Sequence, residues 1–147
     1  MGSKGITFVE LLVVLLLLAV LTGLAVPLVQ DLGSWPLRTA AHEIANAMQE
    51  ARLTAITHGL SCTMVFYDLN GCYRLDLPHG TQWVDLPAEI TMIANLPTVN
   101  NRPTLYFRYT GAPNQGGYIR LQDSAGRRLY IIVTPVTGRV RIDSSPP

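Results

Sequence analysis

The chain is 147 residues long with a formal net charge of +1, and an apolar run near its start leaves 117 residues, 31–147, for a globular part. That is enough for one domain with its own core and hardly enough for two. The near-neutral total hides a division. Residues 31–101 carry three Arg against seven acids, a balance of −4, whereas residues 102–147 carry seven Arg against Asp123 and Asp143, a balance of +5. The sequence holds no internal repeat and no low-complexity tract.

The first element is the run of nineteen residues, 11–29, without a single charge. At about 1.5 Å per residue it makes a helix of about 28 Å, close to the roughly 30 Å hydrocarbon thickness of a bilayer. Glu10 stands at its mouth. An ionised acid at the centre of such a helix costs about 2.5 to 3.5 kcal/mol, less near an end, so a partner is expected, and an amine fits. Lys4 is the only Lys, with nothing acidic before it, which places that end in the cytoplasm and the globular part outside the cytoplasmic membrane. Pro27 leaves the carbonyl of Gly23 without its helical donor, so Gly23 and Pro27 mark a weak point in the helix or a tolerated membrane proline. Two plainer readings stand beside this one: a secretory signal peptide cut after Ala25, and a simple single-pass anchor.

A second helical period follows. Leu37, Ala41, Ile44, Met48, Ala51 and Ala55 recur at threes and fours, with Arg38, His42, Glu43, Gln49, Glu50 and Arg52 largely off that stripe. This predicts an amphipathic helix to about His58 with Gly59 as its C-cap. Between the helical stretches, residues 33–36 predict a kink or short break, since Pro36 lacks a donor and biases Trp35 away from helix.

From Leu60 the period switches to two. Strands are expected at 61–69 and 72–77 around a two-residue Asn70-Gly71 turn, then at 83–86, 89–93, 104–110, 118–122, 129–134 and 138–142. Residues 86–103, rich in Pro and Asn, read as a long connection, at most briefly strand-like.

Side chains for enzymatic chemistry are scarce. His42, His58 and His79 lack metal-ligand spacing, no Ser sits in a nucleophile elbow, and the faint calcium-loop look of Asp68-Leu69-Asn70-Gly71 lacks its distal Glu. No enzyme and no cofactor are expected. Cys62 and Cys72 are expected as free thiols. With a two-residue turn Cys72 faces Leu69, leaving Cys62 roughly 23 Å away, whereas a bridge needs Cα atoms within about 7 Å. The basic end is the other constellation. Arg139 and Arg141 alternate with Val140 and Ile142, so the guanidinium groups leave one face of the last strand. Arg127 and Arg128 come within reach of the same edge if the closing strands form a meander. The planar fork of Arg suits phosphate, and a solvated basic edge or a contact with acidic neighbours suits the same residues.

Gly5-Ile6-Thr7-Phe8-Val9-Glu10-Leu11-Leu12, with Pro27 seventeen positions beyond the Glu, resembles the class III signal of type IV prepilins and pseudopilins. Ala51-Arg52-Leu53-Thr54-Ala55-Ile56, the stretches 105–111 and 119–121, and Gly138-Arg139-Val140-Arg141 resemble the GspH/FimT-like minor pilins. The resemblance implies cleavage by a prepilin peptidase between Gly5 and Ile6, N-methylation of Ile6 where the family most often has Phe, and filament assembly through Glu10 and a neighbour's methylated amine. It implies an α+β, pilin-like fold, a long N-terminal helix packed on a C-terminal antiparallel β-sheet. The expected parts are a leader (1–5), a transmembrane half-helix (6–29), an amphipathic half-helix (30–59) and a β-rich head (60–147). The implied function is a minor pseudopilin, a structural subunit at the tip or initiating complex of a type II secretion or type IV pilus-like filament, anchored in the inner membrane with its head periplasmic or extracellular. Its partners are other pilins or pseudopilins. The alternative is a DNA-binding minor pilin of a competence pilus, binding double-stranded DNA through Arg127, Arg128, Arg139 and Arg141.

Overall fold

A computed structural model describes the backbone of residues 8–32 and 34–147 and the side chains of residues 8–22 and 34–147. The expected peptidase site, Gly5 and Ile6, lies outside the described residues. The chain forms two compact units, Met1–Trp35 and Pro36–Pro147.

In the first unit, α1 (Phe8–Leu32) is a 25-residue helix with Glu10 in its first turn, where the helix dipole favours an acid. The helix continues past Gly23 and Pro27 to Leu32. Packing around Gly23 and Pro27 lies outside the described residues. Every side chain of residues 8–22 is exposed, the large apolar ones from 50% at Leu12 to 78% at Phe8. Among the described residues no helix is long and apolar enough to cross a membrane.

In the second unit, α2 (Trp35–His58) carries the expected stripe. Leu37, Ala41, Ile44, Met48, Ala51 and Ala55 are all buried, and Ala40 and Ala47 join them. Five of these eight are Ala, so the helix brings its backbone close to what it covers. Gly59, at φ +65°, ends it as expected. The expected short break is present, since α1 ends at Leu32 and α2 begins at Trp35, but Trp35 belongs to the helix and Pro36 sits just inside it, where a missing N–H leaves no bond unmade.

The strands form two sheets where one was expected. The first runs in the order β3-β2-β1-β6-β5 and the second β4-β7-β8-β9. Their ranges are β1 (Cys62–Tyr67), β2 (Cys72–Leu77), β3 (Gly80–Asp85), β4 (Thr91–Asn95), β5 (Thr98–Val99), β6 (Arg102–Phe107), β7 (Gly117–Gln122), β8 (Arg128–Val133) and β9 (Val140–Asp143). All pairings are antiparallel. Met64, Phe66, Leu75 and Leu105 of the first sheet share one core with Met92, Ile119, Leu121 and Ile131 of the second and with the α2 stripe.

Two expectations are corrected by the registers. Tyr67 pairs with Cys72, so the β1–β2 connection is the four-residue loop 68–71 rather than a two-residue turn. The Asn70 N–H closes it on the Tyr67 carbonyl at 3.0 Å. The stretch 86–103 is only partly the expected connection: β4 falls two residues beyond the strand expected at 89–93, and β5 is added because the chain changes sheets there, β4 lying beside β7 and β5 returning to β6. The β5–β6 hairpin turns on Asn100 and Asn101, at φ +52° and +62°, both left-handed as a type I′ turn requires. Asp68, in the corrected loop, ties the sheets together through a 3.2 Å hydrogen bond that its Oδ2 accepts from the Ala94 N–H of β4.

Both cysteines are free and buried. Cys62 is five residues from the partner of Cys72, roughly 17 Å along the strand. Alternation also puts the two on opposite faces, with Cys62 on the core face beside Met64 and Phe66 and Cys72 opposite Tyr67 on the outer face.

Candidate functional site

The closing strands do form a meander, β7-β8-β9, and its alternation sorts the side chains. Val140 and Ile142 pack towards the core, paired with Val133 and Ile131. Arg141 pairs with Ile132 on the outer face, and Arg139 precedes the strand; both are exposed. The outward arginines and inward aliphatics expected of residues 139–142 are therefore present.

The four expected arginines do not form one cluster. Arg127 and Arg128 sit at the β7–β8 turn, the far end of β8 from Arg139 and Arg141. Arg128 is four residues from Ile132, the partner of Arg141, or about 13 Å along the strand. Arg127 is committed locally: its Nε donates to Asp123 Oδ2 at 2.6 Å and its backbone N–H to Oδ1 at 2.8 Å. Burial opposes ionisation of Asp123, but the hydrogen bonds and charge of Arg127 outweigh it and hold this carboxyl below the usual carboxylate range. Arg128 donates its Nε to Gln122 Oε1 at 3.0 Å.

A further arginine takes a place in this face. Arg120 of β7 pairs with Tyr130 of β8, and Tyr118 and Tyr130 meet edge-on with ring centroids 5.8 Å apart. Arg120, Arg128 and Arg141 thus share the outer face with a tyrosine pair, and Asp143, paired with Tyr130, is its acid. Hydrogen bonds from the Ser145 backbone and hydroxyl keep Asp143 ionised to below the usual range. The alternation Tyr118-Ile119-Arg120-Leu121-Gln122 holds the signal that places Arg120 here.

The loop leading to Arg139 is tightly set. Thr137 N–H donates to the Pro135 carbonyl at 2.8 Å, closing a γ-turn on Val136, whose φ is +69° and whose side chain is 82% exposed. A β-branched residue there is strained. Gly138 follows at φ +64°. A Cβ added to it would lie 2.6 Å from the Gly111 carbonyl oxygen and 3.1 Å from Arg52 Nε. Arg52 of α2 donates that Nε to the same carbonyl at 3.2 Å. The end of α2 and the loops after β6 and β8 therefore meet at a clasp, and the basic strand β9 is hung from it.

Elsewhere, His42, His58 and His79 are all exposed, and among the described residues no three His, Cys, Asp or Glu gather as metal ligands do. Asp68 keeps its Oδ1 buried without a hydrogen-bond partner. Burial pushes its carboxyl above the usual carboxylate range, an effect only partly offset by the Ala94 N–H.

An exposed apolar helix followed by a helix packed on antiparallel sheets is the plan of a pilin-type subunit. No family model matches the chain. Pilin-like protein PilA1 of Thermus thermophilus is 30% identical over 164 aligned positions, covering 97% of this chain and 100% of that protein. The chain belongs to the type IV pilin and pseudopilin superfamily. Among solved structures, the type IV minor pilin FimU of Pseudomonas aeruginosa shares the fold with a TM-score of 0.59 at 14% identity, over 73% of this chain and 87% of that one. The minor pseudopilin EpsH of the Type 2 Secretion System of Vibrio cholerae does so with a TM-score of 0.57 at 11% identity, over 71% and 94%.

Proposed function

We propose that this chain is a minor subunit of a type IV pilus-like or type II secretion filament. The observation that carries the reading is α1: its side chains from residue 8 to residue 22 are exposed and almost wholly apolar, while the core of the head closes without any of them. A helix hydrophobic all round is buried against something else. First the inner membrane and then the core of a filament would cover it. In this reading a prepilin peptidase cuts between Gly5 and Ile6, Ile6 is N-methylated, and Glu10 at the helix start meets the amine of a neighbouring subunit. The head then stands outside the cytoplasmic membrane. Glu10→Ala tests the reading. The variant should enter the membrane as well as wild type or better, having lost a costly charge, yet be recovered in sheared filaments or crosslinked tip complexes at a small fraction of the wild-type amount. Equal recovery would remove the assembly role of Glu10.

A second reading is favoured by the outer face of the second sheet. Arg120, Arg128, Arg139 and Arg141 beside the tyrosine pair suit the backbone of double-stranded DNA, as in an uptake pilus, with Arg127 contributing less because Asp123 holds it. If four arginines each meet a phosphate, the log-log salt slope of binding is about −3.6. Arg139 and Arg141 changed together to Gln should flatten it by about two units, whereas Arg127→Gln should leave it nearly unchanged. A double variant that keeps the wild-type slope excludes this face as the DNA site.

A further inference from the structure

The outer face of the first sheet, remote in the chain from the basic meander, holds a cleft of about 410 Å³ floored by Val65 and Thr104 and edged by Thr63, Arg74, Asn100 and Arg102. A row of flat side chains runs from Arg102 and Tyr67 in its lining to Trp83 beside it. The Arg102 guanidinium lies 4.4 Å from the centroid of Tyr67, Tyr67 lies 5.1 Å from Trp83, and Arg74 lies 5.7 Å from the Trp83 ring. Trp83 is 58% exposed. Nothing in the core of the head requires an indole there.

The charges on this face are not equivalent. Arg74 donates to Asp76 Oδ2 at 2.8 Å, and Asp76 also accepts from the Thr81 hydroxyl at 2.9 Å, so that pair is internally satisfied. Arg102 has no acidic partner among the described residues, and stacking on Tyr67 leaves the edge of its fork turned outward for a planar acceptor. The Asn100-Asn101 turn fixes its place, since Arg102 pairs with Val99 directly across that hairpin.

From this arrangement the geometry points to a binding site for an acidic saccharide, a sugar ring carrying one carboxylate. The single unmatched guanidinium takes the carboxylate. Trp83, exposed at the border of the cleft, offers an aromatic face to the C–H face of the ring, and the Asn100 amide and Thr63 hydroxyl in the lining can meet ring hydroxyls. A polyphosphate fits less well, because Asp76 holds Arg74 and only Arg102 is left to meet a phosphate. An apolar peptide fits less well because Arg74, Asn100 and Arg102 edge the cleft.

The test is calorimetric titration of the full chain in detergent with tetragalacturonate, its fully methyl-esterified form, and an octamer of deoxythymidylate. Tetragalacturonate should saturate below about 5 mM. The ester should bind wild type roughly tenfold more weakly or worse, and Arg102→Gln should weaken tetragalacturonate by the same factor, as expected for loss of a charge-assisted hydrogen bond. Trp83→Ala should weaken it several-fold and Trp83→Phe less. Both side chains are at the surface, and an unchanged unfolding midpoint confirms that each variant is folded. The proposal is overturned if tetragalacturonate does not saturate by about 5 mM, if Arg102→Gln binds it as well as wild type, or if the oligonucleotide binds more tightly.

Discussion

Replacing Gly138 by Ala probes the clasp at the end of α2. Two costs are expected. An L-residue at φ +64° costs about 1–2 kcal/mol because its Cβ crowds its own carbonyl. The same Cβ would lie 2.6 Å from the Gly111 carbonyl oxygen, a backbone atom that cannot swing aside, and overpacking of this kind adds about 1–3 kcal/mol. The sum, roughly 2–5 kcal/mol, is a large share of the about 5–15 kcal/mol that holds a typical domain together. Gly126→Ala supplies the control, since its φ is +81° and nothing lies within 4 Å of the added Cβ. Only the conformational cost applies there. In urea unfolding, Gly126→Ala should lower the midpoint modestly, and Gly138→Ala should lower it by at least twice as much, with the slope unchanged. Equal losses in the two variants would refute the clasp, leaving Gly138 as an ordinary turn glycine.

The remaining predictions concern Asp68 and the cysteines. Because burial raises the folded-state pKa of Asp68, the native state holds this proton more tightly than the unfolded chain, and its contribution to stability falls as pH rises from the ordinary carboxylate range through the raised value. Asp68→Asn removes that slope. Its stability relative to wild type should improve as pH rises above the ordinary carboxylate range of about 4, measured by thermal melts across pH, and parallel profiles would show that the buried Oδ1 is ionised without penalty. A chain beginning near Ser34 should fold alone, since the unit Pro36–Pro147 has its own core, and without reductant should show two thiols in denaturant. In the folded state both should react slowly, because burial pushes each thiol up and Asp85 adds to the effect at Cys72. A titration finding no thiols would indicate a disulfide and contradict the register that separates them.

Helix α2 was legible because its signal is local: an apolar stripe and a terminal Gly agree. Register was less so. Asn70-Gly71 is a strong two-residue hairpin signal, but Asp68 is drawn to the Ala94 N–H of the other sheet, and the loop widens to four residues. Such a bond between distant segments leaves no periodic trace. Strand β5 is two residues long, too short for any alternation to show, and only its Asn100-Asn101 turn carried a signal. Division into two sheets was equally hidden, because alternation marks which side chains face inward and says nothing of which strand lies beside which.

The string Gly138-Arg139-Val140-Arg141 shows how a recognisable pattern can serve several physical ends at once. Gly138 is required by the approach of Arg52 and the Gly111 carbonyl, and Val140 by the core beside Val133. Both would be needed in a subunit that never met a nucleic acid. Ala51-Arg52 and the turn at Gly111 belong to the same clasp, so three separated strings that look like independent family marks report one packing event. Only Arg139 and Arg141 are left over by the fold: they are exposed, and neither has an acidic side chain within salt-bridge distance among the described residues. The pattern therefore testifies to the head's architecture in half its residues. Whatever it recognises must be sought in the other half, together with Arg120 and Arg128, which the string does not contain.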